Sequence, residues 1–415
     1  MLFRFTYNII LQLSYPLLIF LGVFSEKLSL FTSGRKEIFE RLKSKKVNEG
    51  DWVWFHTASL GEFEQARPLI ENYKKSFPKH QLLLTFFSPS GYEVQKHFEL
   101  ADCICYLAWD TQKNANRFLD FCNIKHALFV KYEFWPNHLR GLSKRKIPVY
   151  YVSSIFRPQQ LFFKKYGRDY RKLLYGVNHF FVQNEESISL LNSIGIHQVT
   201  LSGDTRMDRV YDLAQNQESL HIMEKFINHE PCFVLGSTWP EDYTLMDSFF
   251  KESMPLKLII APHQVSHQAI ENLEQRIELP YAKWSSFDEK KDAKKSILIV
   301  DNIGLLTKIY RYATFAYVGG GMKKKGLHNV LEPATYGIPV IIGKNYNTFQ
   351  EAVLLHKRGG ISSVKSAIEF RKTVKLWMND KELVRRMGED NARFIEEGRG
   401  ASQKIIDTIK GLPVE

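Results

Sequence analysis

The sequence predicts an α/β protein built from two doubly wound domains. Three observations predict it. At 415 residues the chain exceeds what one hydrophobic core ordinarily serves. Short runs rich in Val, Ile, Leu and Phe recur without polar alternation, as expected of parallel strands buried on both faces. Longer amphipathic stretches separate those runs, which is the rhythm of successive βαβ units. The rhythm pauses once, over the polar stretch 213–230, and then resumes.

The elements follow in order. The segment from Ile9 to Phe24 carries no charged residue. As a helix rising about 1.5 Å per residue it spans about 24 Å, short of the ~30 Å hydrocarbon core. Tyr7, Asn8, Gln12, Ser14 and Pro16 also argue against a span, and no small-residue cleavage site follows. A helix lying in or dipping into the membrane face is expected, flanked by Lys27, Arg35, Lys36, Arg41, Lys43, Lys45 and Lys46, since basic residues beside an apolar helix bind anionic lipid; a signal-anchor helix with the rest of the chain cytoplasmic is the competing reading. Strands are expected at 52–57, 82–87, 103–107, 127–131, 149–153, 180–183 and 199–202, with helices such as 62–75, 91–97 and 111–121 between them. The second half repeats the pattern with strands at 232–236, 257–261, 297–300, 315–318 and 340–342. Its helices are expected at 241–251, 266–276, 304–312, 329–336 and 347–356, and further helices over 365–410. The domains so drawn are 1–33, a membrane-associated helix with its basic flank; 34–212; a linker at 213–230; and 231–415. Two such domains are expected to face each other across a cleft, with ligands at the carboxyl ends of the strands.

Composition narrows the partners. The hydrophobic fraction of 44% and charged fraction of 25% are those of a globular chain. Four cysteines, Cys103, Cys105, Cys122 and Cys232, form no CxxC pair or disulfide framework and fit a reducing compartment. The net charge of +12 calls for an anionic partner: nucleic acid, acidic lipid or a phosphorylated substrate. No nucleic-acid module accompanies it, so no nucleic-acid partner is expected.

The loops after strands carry the candidate chemistry. Residues 317–337 read YVGGGMKKKGLHNVLEPATYG. Glycines let backbone approach a ligand closely, helix N-terminal N–H groups bind phosphate, and Glu332 would fall one turn into a helix starting near Asn329, within reach of a ribose. A tight β-to-α turn with a solvated Lys run accounts for the same residues equally well. Glu62 follows the first strand in HTASLGEFE: it is either a helix-capping acid or a general base facing the cleft. Glu133 stands among aromatics in KYEFWPN, where a charge needs partners. Arg157 and Arg206 can bind phosphate bidentately or serve as surface arginines. Ser237 or Thr238 can cap a helix, and His263 ends a strand at the same edge. No Asp-x-Asp, no His/Cys cluster at metal spacing and no Walker or Gly-x-Gly-x-x-Gly loop after the first strand is present. A metal-independent departure of a nucleoside monophosphate is therefore favoured over a metal-borne diphosphate.

Taken together, HTASLGEFEQARPLI (56–70), KYEFWPNHL (131–139), SGDTRMDRV (202–210), GSTWPED (236–242) and YVGGGMKKKGLHNVLEPATYGIPV (317–340) resemble the 3-deoxy-D-manno-octulosonic acid (Kdo) transferases of lipopolysaccharide and lipid A biosynthesis, which have the two-domain GT-B fold. The resemblance runs from about Gly34 to near Leu355. It implies inverting transfer of Kdo from the donor substrate CMP-Kdo to the lipid A precursor, without a cofactor or metal, at the cytoplasmic face of the inner membrane. It gives 34–212 the acceptor and 231–415 the nucleotide. It further implies Glu62 as general base, and Glu133 and Arg206 as transition-state stabilisers. CMP contacts fall on Pro262 and His263, on Ile303, Gly304 and Leu305, and on Asn329, Val330, Leu331 and Glu332. The chain departs from the family pattern in three places: Pro262-His263-Gln264 replaces Pro-Arg-His, with Lys323, Lys324 and Lys325 as compensating cations; Arg206 replaces Lys; and Ile303-Gly304-Leu305 replaces Met-Gly-Glu. Two other classes share the general features: another GT-B nucleotide-sugar enzyme (a UDP-sugar transferase or an epimerase) and a non-catalytic lipid-binding protein.

Overall fold

The computed structural model describes residues 2–215, 218–323 and 326–412. The chain divides into two compact units: residues up to Arg209 together with those from Arg399 onward, and Val210–Gly398. Each holds one seven-stranded, all-parallel sheet.

In the first unit the strands are β1 (Trp52–Thr57), β2 (Gln81–Phe86), β3 (Cys103–Tyr106), β4 (Ile124–Val130), β5 (Val149–Ser154), β6 (His179–Val182) and β7 (Val199–Leu201), in the order β3-β2-β1-β4-β5-β6-β7. All six residues of β1 are buried, as its apolar run requires of a central strand covered on both faces. The second unit holds β8 (Cys232–Thr238), β9 (Lys257–Pro262), β10 (Tyr281–Lys283), β11 (Ile297–Ile299), β12 (Phe315–Val318), β13 (Val340–Gly343) and β14 (Ile361–Val364), in the order β10-β11-β9-β8-β12-β13-β14. Both sheets reverse direction beside their first strand. The switch points are therefore β1/β4 and β8/β12, and ligands bind in the crevice outside the carboxyl ends of strands at such points.

Several elements differ from expectation. The N-terminal helix is Leu2–Gly22. At about 1.5 Å per residue it measures about 32 Å, so it is not short of the hydrocarbon core. Among the described residues it is the one helix long and apolar enough to cross a membrane. Its inward stripe is nonetheless tied to the first unit: the Tyr7 hydroxyl donates to Asp110 Oδ2 at 2.8 Å, Asn137 Nδ2 to Asn8 Oδ1 at 3.0 Å, and Trp109 Nε1 to the Leu11 carbonyl at 3.0 Å. Phe5, Ile10, Leu13, Leu17 and Phe20 on its other side are exposed. The stretch 213–230 is no bare linker. Helix Thr205–Gln215 runs into it, and helix His221–Ile227 buries Met223 and Phe226 in the second unit's core. The final helix, Ala401–Gly411, packs on the first unit, where Ile405, Ile406 and Ile409 join the core against helix Leu60–Ser76. Strands β10 and β14 were not foreseen; both lie at sheet edges, and Tyr281, Lys283, Ser362 and Ser363 are only partly buried. All four cysteines are free and buried.

Candidate functional site

Glu62 sits in the first turn of helix Leu60–Ser76, directly after β1. Its Oε2 accepts the Ala58 N–H at 2.5 Å, so the carboxylate does serve the helix N-terminus. Burial, then the charge of Glu133, push its pKa from 4.5 up to about 7, against the pull of the Ala58 N–H, Lys131 and the Ser59 N–H. A carboxyl titrating near neutrality is matched to taking a proton there. Glu133 and Lys131 follow β4, so the β1/β4 switch point brings the two acids and a lysine together. Lys131 adopts φ +60°, an uncommon conformation for a residue with a side chain.

Glu133 is held from behind by an aromatic and imidazole wall. His56 Nε2 lies 3.6 Å from Glu133 Oε2, and the Tyr151 hydroxyl donates to the Glu133 carbonyl at 2.8 Å. Trp135 Nε1 donates to His56 Nε2 at 3.0 Å. That leaves His56 Nδ1–H to donate to Thr85 Oγ1 at 2.8 Å, where Trp54 Nε1 also donates at 2.8 Å. Complete burial lowers the His56 pKa against the pull of Glu133, in keeping with a neutral ring.

Arg206 opens helix Thr205–Gln215 after β7. Its Nε and Nη2 engage Asp204, at 2.9 and 2.6 Å to Oδ2. Burial pushes the Asp204 carboxyl up, but Arg206 and Lys131 outweigh it and hold it below its usual range. Lys131 thus acts on both Glu62 and Asp204. Thr205 Oγ1 donates to the Gln65 carbonyl at 2.7 Å, tying the Arg206 helix to the Glu62 helix. Arg157 is exposed, with its guanidinium 5.6 Å from the ring centre of Tyr132, the residue between Lys131 and Glu133.

In the second unit the triple glycine follows β12, but the reason for glycine differs from the one expected. A Cβ on Gly319 would lie 2.2 Å from the Ser237 carbonyl oxygen. One on Gly320 (φ +86°) would lie 1.9 Å from that of Gly326, and one on Gly321 2.7 Å from the Gly343 nitrogen. The run is close-packed against protein backbone. Buried Asp242 anchors it, accepting the Gly320 N–H (2.9 Å), the Trp239 N–H (2.9 Å) and the Tyr317 hydroxyl (2.8 Å). The helix expected from Asn329 is a single turn, Leu331–Thr335; Asn329 precedes it and its Oδ1 accepts the Leu331 N–H at 3.2 Å.

His263, after β9, donates its backbone N–H to the Thr238 carbonyl. Its ring stacks on Trp239 (4.5 Å, 26°) and packs at a tilt against His328 (4.4 Å, 34°). Trp239 Nε1 donates to His328 Nε2 at 2.8 Å. Lys323 Nζ lies 3.5 Å over the Trp239 ring and 3.3 Å from Glu241, which sets one cation of the KKK run beside His263. Lys324 and Lys325 lie outside the described residues. Burial first, then the neighbouring His263 and Lys323, lower His328 to about 4, and His263 is lowered by burial and Lys323. Pro262 borders a cavity of about 310 Å³ shared with Trp239, Asn272 and Arg276. Glu332 accepts from Thr307 Oγ1 at 2.9 Å and from Asn329 Nδ2 at 3.1 Å. These bonds set the 329–332 segment against the helix that begins just after Ile303, Gly304 and Leu305. Ile303 is exposed and Gly304 has φ +88°. Val330 and Leu331 are buried, so a ligand would meet their backbone.

A family model described as 3-deoxy-D-manno-octulosonic-acid transferase (kdotransferase) matches residues 34–209. Over 427 aligned residues the chain is 25% identical to the 3-deoxy-D-manno-octulosonic acid transferase of Haemophilus influenzae, covering 99% of this chain and 98% of that protein. It is 27% identical to the enzyme of the same name from Aquifex aeolicus, covering 77% and 83%. Residues 34–209 thus carry a Kdo transferase domain, and the relatives extend that likeness over nearly all of the chain. The chain is a glycosyltransferase, and its two parallel-sheet units have the GT-B fold. Solved structures agree on the fold: the UDP-GlcNAc 2-epimerase of Neisseria meningitidis superposes with a TM-score of 0.62 at 15% identity, covering 87% of this chain and all of that one. A putative UDP-N-acetylglucosamine 2-epimerase from Listeria monocytogenes gives 0.58 at 13%, covering 86% and 95%.

In the first unit the structure groups Glu62 and Glu133 and links the Arg206 helix to the helix of Glu62. In the second it groups Pro262 with His263, and 303–305 with 329–332. Sequence reasoning missed Lys131, His56, Trp135, Asp204, Asp242 and His328. Each lies next to a motif residue already singled out, but its role depends on partners distant in sequence.

Proposed function

We propose that this protein is an inverting transferase moving Kdo from CMP-Kdo to the lipid A precursor, lipid IVA. The observation that carries the proposal is Glu62, a carboxyl with a pKa near 7 at the β1/β4 switch point, beside Glu133 and Lys131. The acceptor hydroxyl oxygen attacks the anomeric carbon and its proton passes to Glu62. The bond from that carbon to the CMP phosphate oxygen breaks, and CMP leaves with the electron pair. Attack and departure on opposite faces invert the centre. Glu133 and Arg206 stabilise the cationic, oxocarbenium-like state and its developing charges, with Asp204 orienting the guanidinium. Pro262, His263, the backbone of 303–305 and residues 329–332 hold the nucleotide. Lys323, seated on Trp239, supplies the cation that position 263 lacks. No metal or cofactor enters the reaction.

The net charge of +12 suits an acceptor bearing phosphates. The N-terminal helix, polar toward the protein and apolar outward, suits a helix lying in the cytoplasmic face of the inner membrane with the catalytic units on that side. The test is protection against thermal unfolding by nucleotides, paired with transfer to lipid IVA read by mass. CMP should protect better than UDP and Kdo should be added. Protection by UDP instead, with no Kdo added, would move the chain to the nucleotide-sugar enzymes its solved neighbours represent.

A further inference from the structure

The N-terminal helix does more than present an apolar surface. Its inward stripe meets a buried carboxylate, Asp110, whose four hydrogen bonds are all accounted for. Oδ2 accepts the Tyr7 hydroxyl (2.8 Å) and the Asn137 N–H (3.1 Å); Oδ1 accepts the His138 N–H (2.9 Å) and His138 Nδ1 (2.6 Å). Asn137 and His138 form the first turn of helix Pro136–Lys144, where an acid also complements the helix dipole. Trp135, the residue capping that helix, reaches His56 through its indole N–H, and His56 reaches Glu133. A second route runs through rings. Among the described residues Arg35 has no carboxylate partner; it is buried and donates to the Phe31 and Phe87 carbonyls, with its guanidinium 3.8 Å over Phe31 and 4.9 Å from Phe87. Phe31 packs on Trp109, and Phe87 on Trp135 at 4.5 Å.

We infer that Tyr7 and Asp110 are positioning residues for the reaction: the docked N-terminal helix fixes, through the start of helix Pro136–Lys144, the segment that carries Glu133. The apolar helix then has two separable duties. Its outer face meets lipid and its inner face holds the 131–138 segment in register with Glu62. A charged group buried in the protein keeps its place only while its hydrogen bonds are met. Losing the Tyr7 hydroxyl leaves Asp110 one donor short and loosens the helix start it caps.

The test compares two full-length variants in detergent, where membrane recruitment plays no part. Tyr7→Phe removes only the inward hydroxyl; Leu13→Gln alters only the outer face. The kinetic arm rests on the proposed Kdo transfer. Tyr7→Phe should lower kcat about tenfold or more, as small displacements of reacting groups do, with KM for CMP-Kdo unchanged. It should also move the acid limb of the pH–rate profile downward, because Glu133 is the charge that raises Glu62 while Lys131 and the Ala58 and Ser59 N–H groups lower it. Amide exchange over 131–138 should rise in the same variant. Leu13→Gln should keep kcat and exchange while binding anionic vesicles less well. Tyr7→Phe with kcat and acid limb at the parent's values overturns the inference, whether or not exchange rises, since the contact would then be structural only. If the parent transfers no Kdo, the functional reading fails separately, and the exchange measurement decides: unchanged protection over 131–138 in Tyr7→Phe overturns the positioning role.

Discussion

Glu62 accepts the Ala58 N–H, just ahead of its own helix, and is also held near neutral pKa. The two roles have opposite signs for stability. A carboxyl whose folded pKa is raised from 4.5 to about 7 binds more protons folded than unfolded within that window, so stability falls as pH rises through it. Glu62→Gln, which keeps an oxygen for Ala58, should therefore stabilise the first unit at pH 8 by about 1–3 kcal/mol, and lose that advantage below pH 4.5, as urea titrations at both pH values will show. The same variant should lose about 10²–10⁴ in kcat. A different residue tests the wall behind Glu133. Thr85 Oγ1 receives both Trp54 and His56, so Thr85→Val leaves buried donors unmet. It should cost about 1–3 kcal/mol by urea denaturation, with β1 and β2 otherwise intact.

At the scale of elements, the glycine run shows how a motif can be right in place and different in cause. Gly320 is confined by its positive φ and by the Gly326 carbonyl, so Gly320→Ala should displace the loop that Asp242 anchors. We expect at least 1 kcal/mol lost from the second unit, about the cost of such backbone strain, and weaker CMP protection in a thermal shift assay. Most strands were legible because the central ones hold uninterrupted apolar runs: 52–55, 315–318 and 340–342 need no context. Tyr281–Lys283 and Ile361–Val364 were not, because short edge strands carry Tyr, Lys and Ser on partly solvated positions. Glu62 and Glu133 were legible as acids after strands. Their meeting was not, because it depends on β4 pairing beside β1 across the intervening β2 and β3. Lys131 was passed over since a single lysine in a loop has no pattern, and His56 since its partners Thr85 and Trp135 are far along the chain.

For the whole molecule, the chain leaves the first unit near Arg209 and returns to it near Arg399. The returning helix is fastened by Asp208, whose carboxylate accepts the Gly400 and Ser402 N–H groups and the Ser402 hydroxyl at 2.6–2.8 Å. It buries Ile405, Ile406 and Ile409 there. A stop after Gly400 should remove about 5–9 kcal/mol from the first unit, at about 1.5–3 kcal/mol for each of the three buried isoleucines. Calorimetry should show the first unit's transition falling while that of Val210–Gly398 stays put. The central claim is that one carboxylate in the first unit drives Kdo transfer from a CMP donor. Its most direct test is the pH dependence of kcat/KM for CMP-Kdo and lipid IVA, with products identified by mass, for the parent and Glu62→Gln. The account predicts Kdo addition by the parent with an acid limb near pH 7, and a residual rate without that limb in the variant. Equal rates and the same limb in both proteins would contradict it.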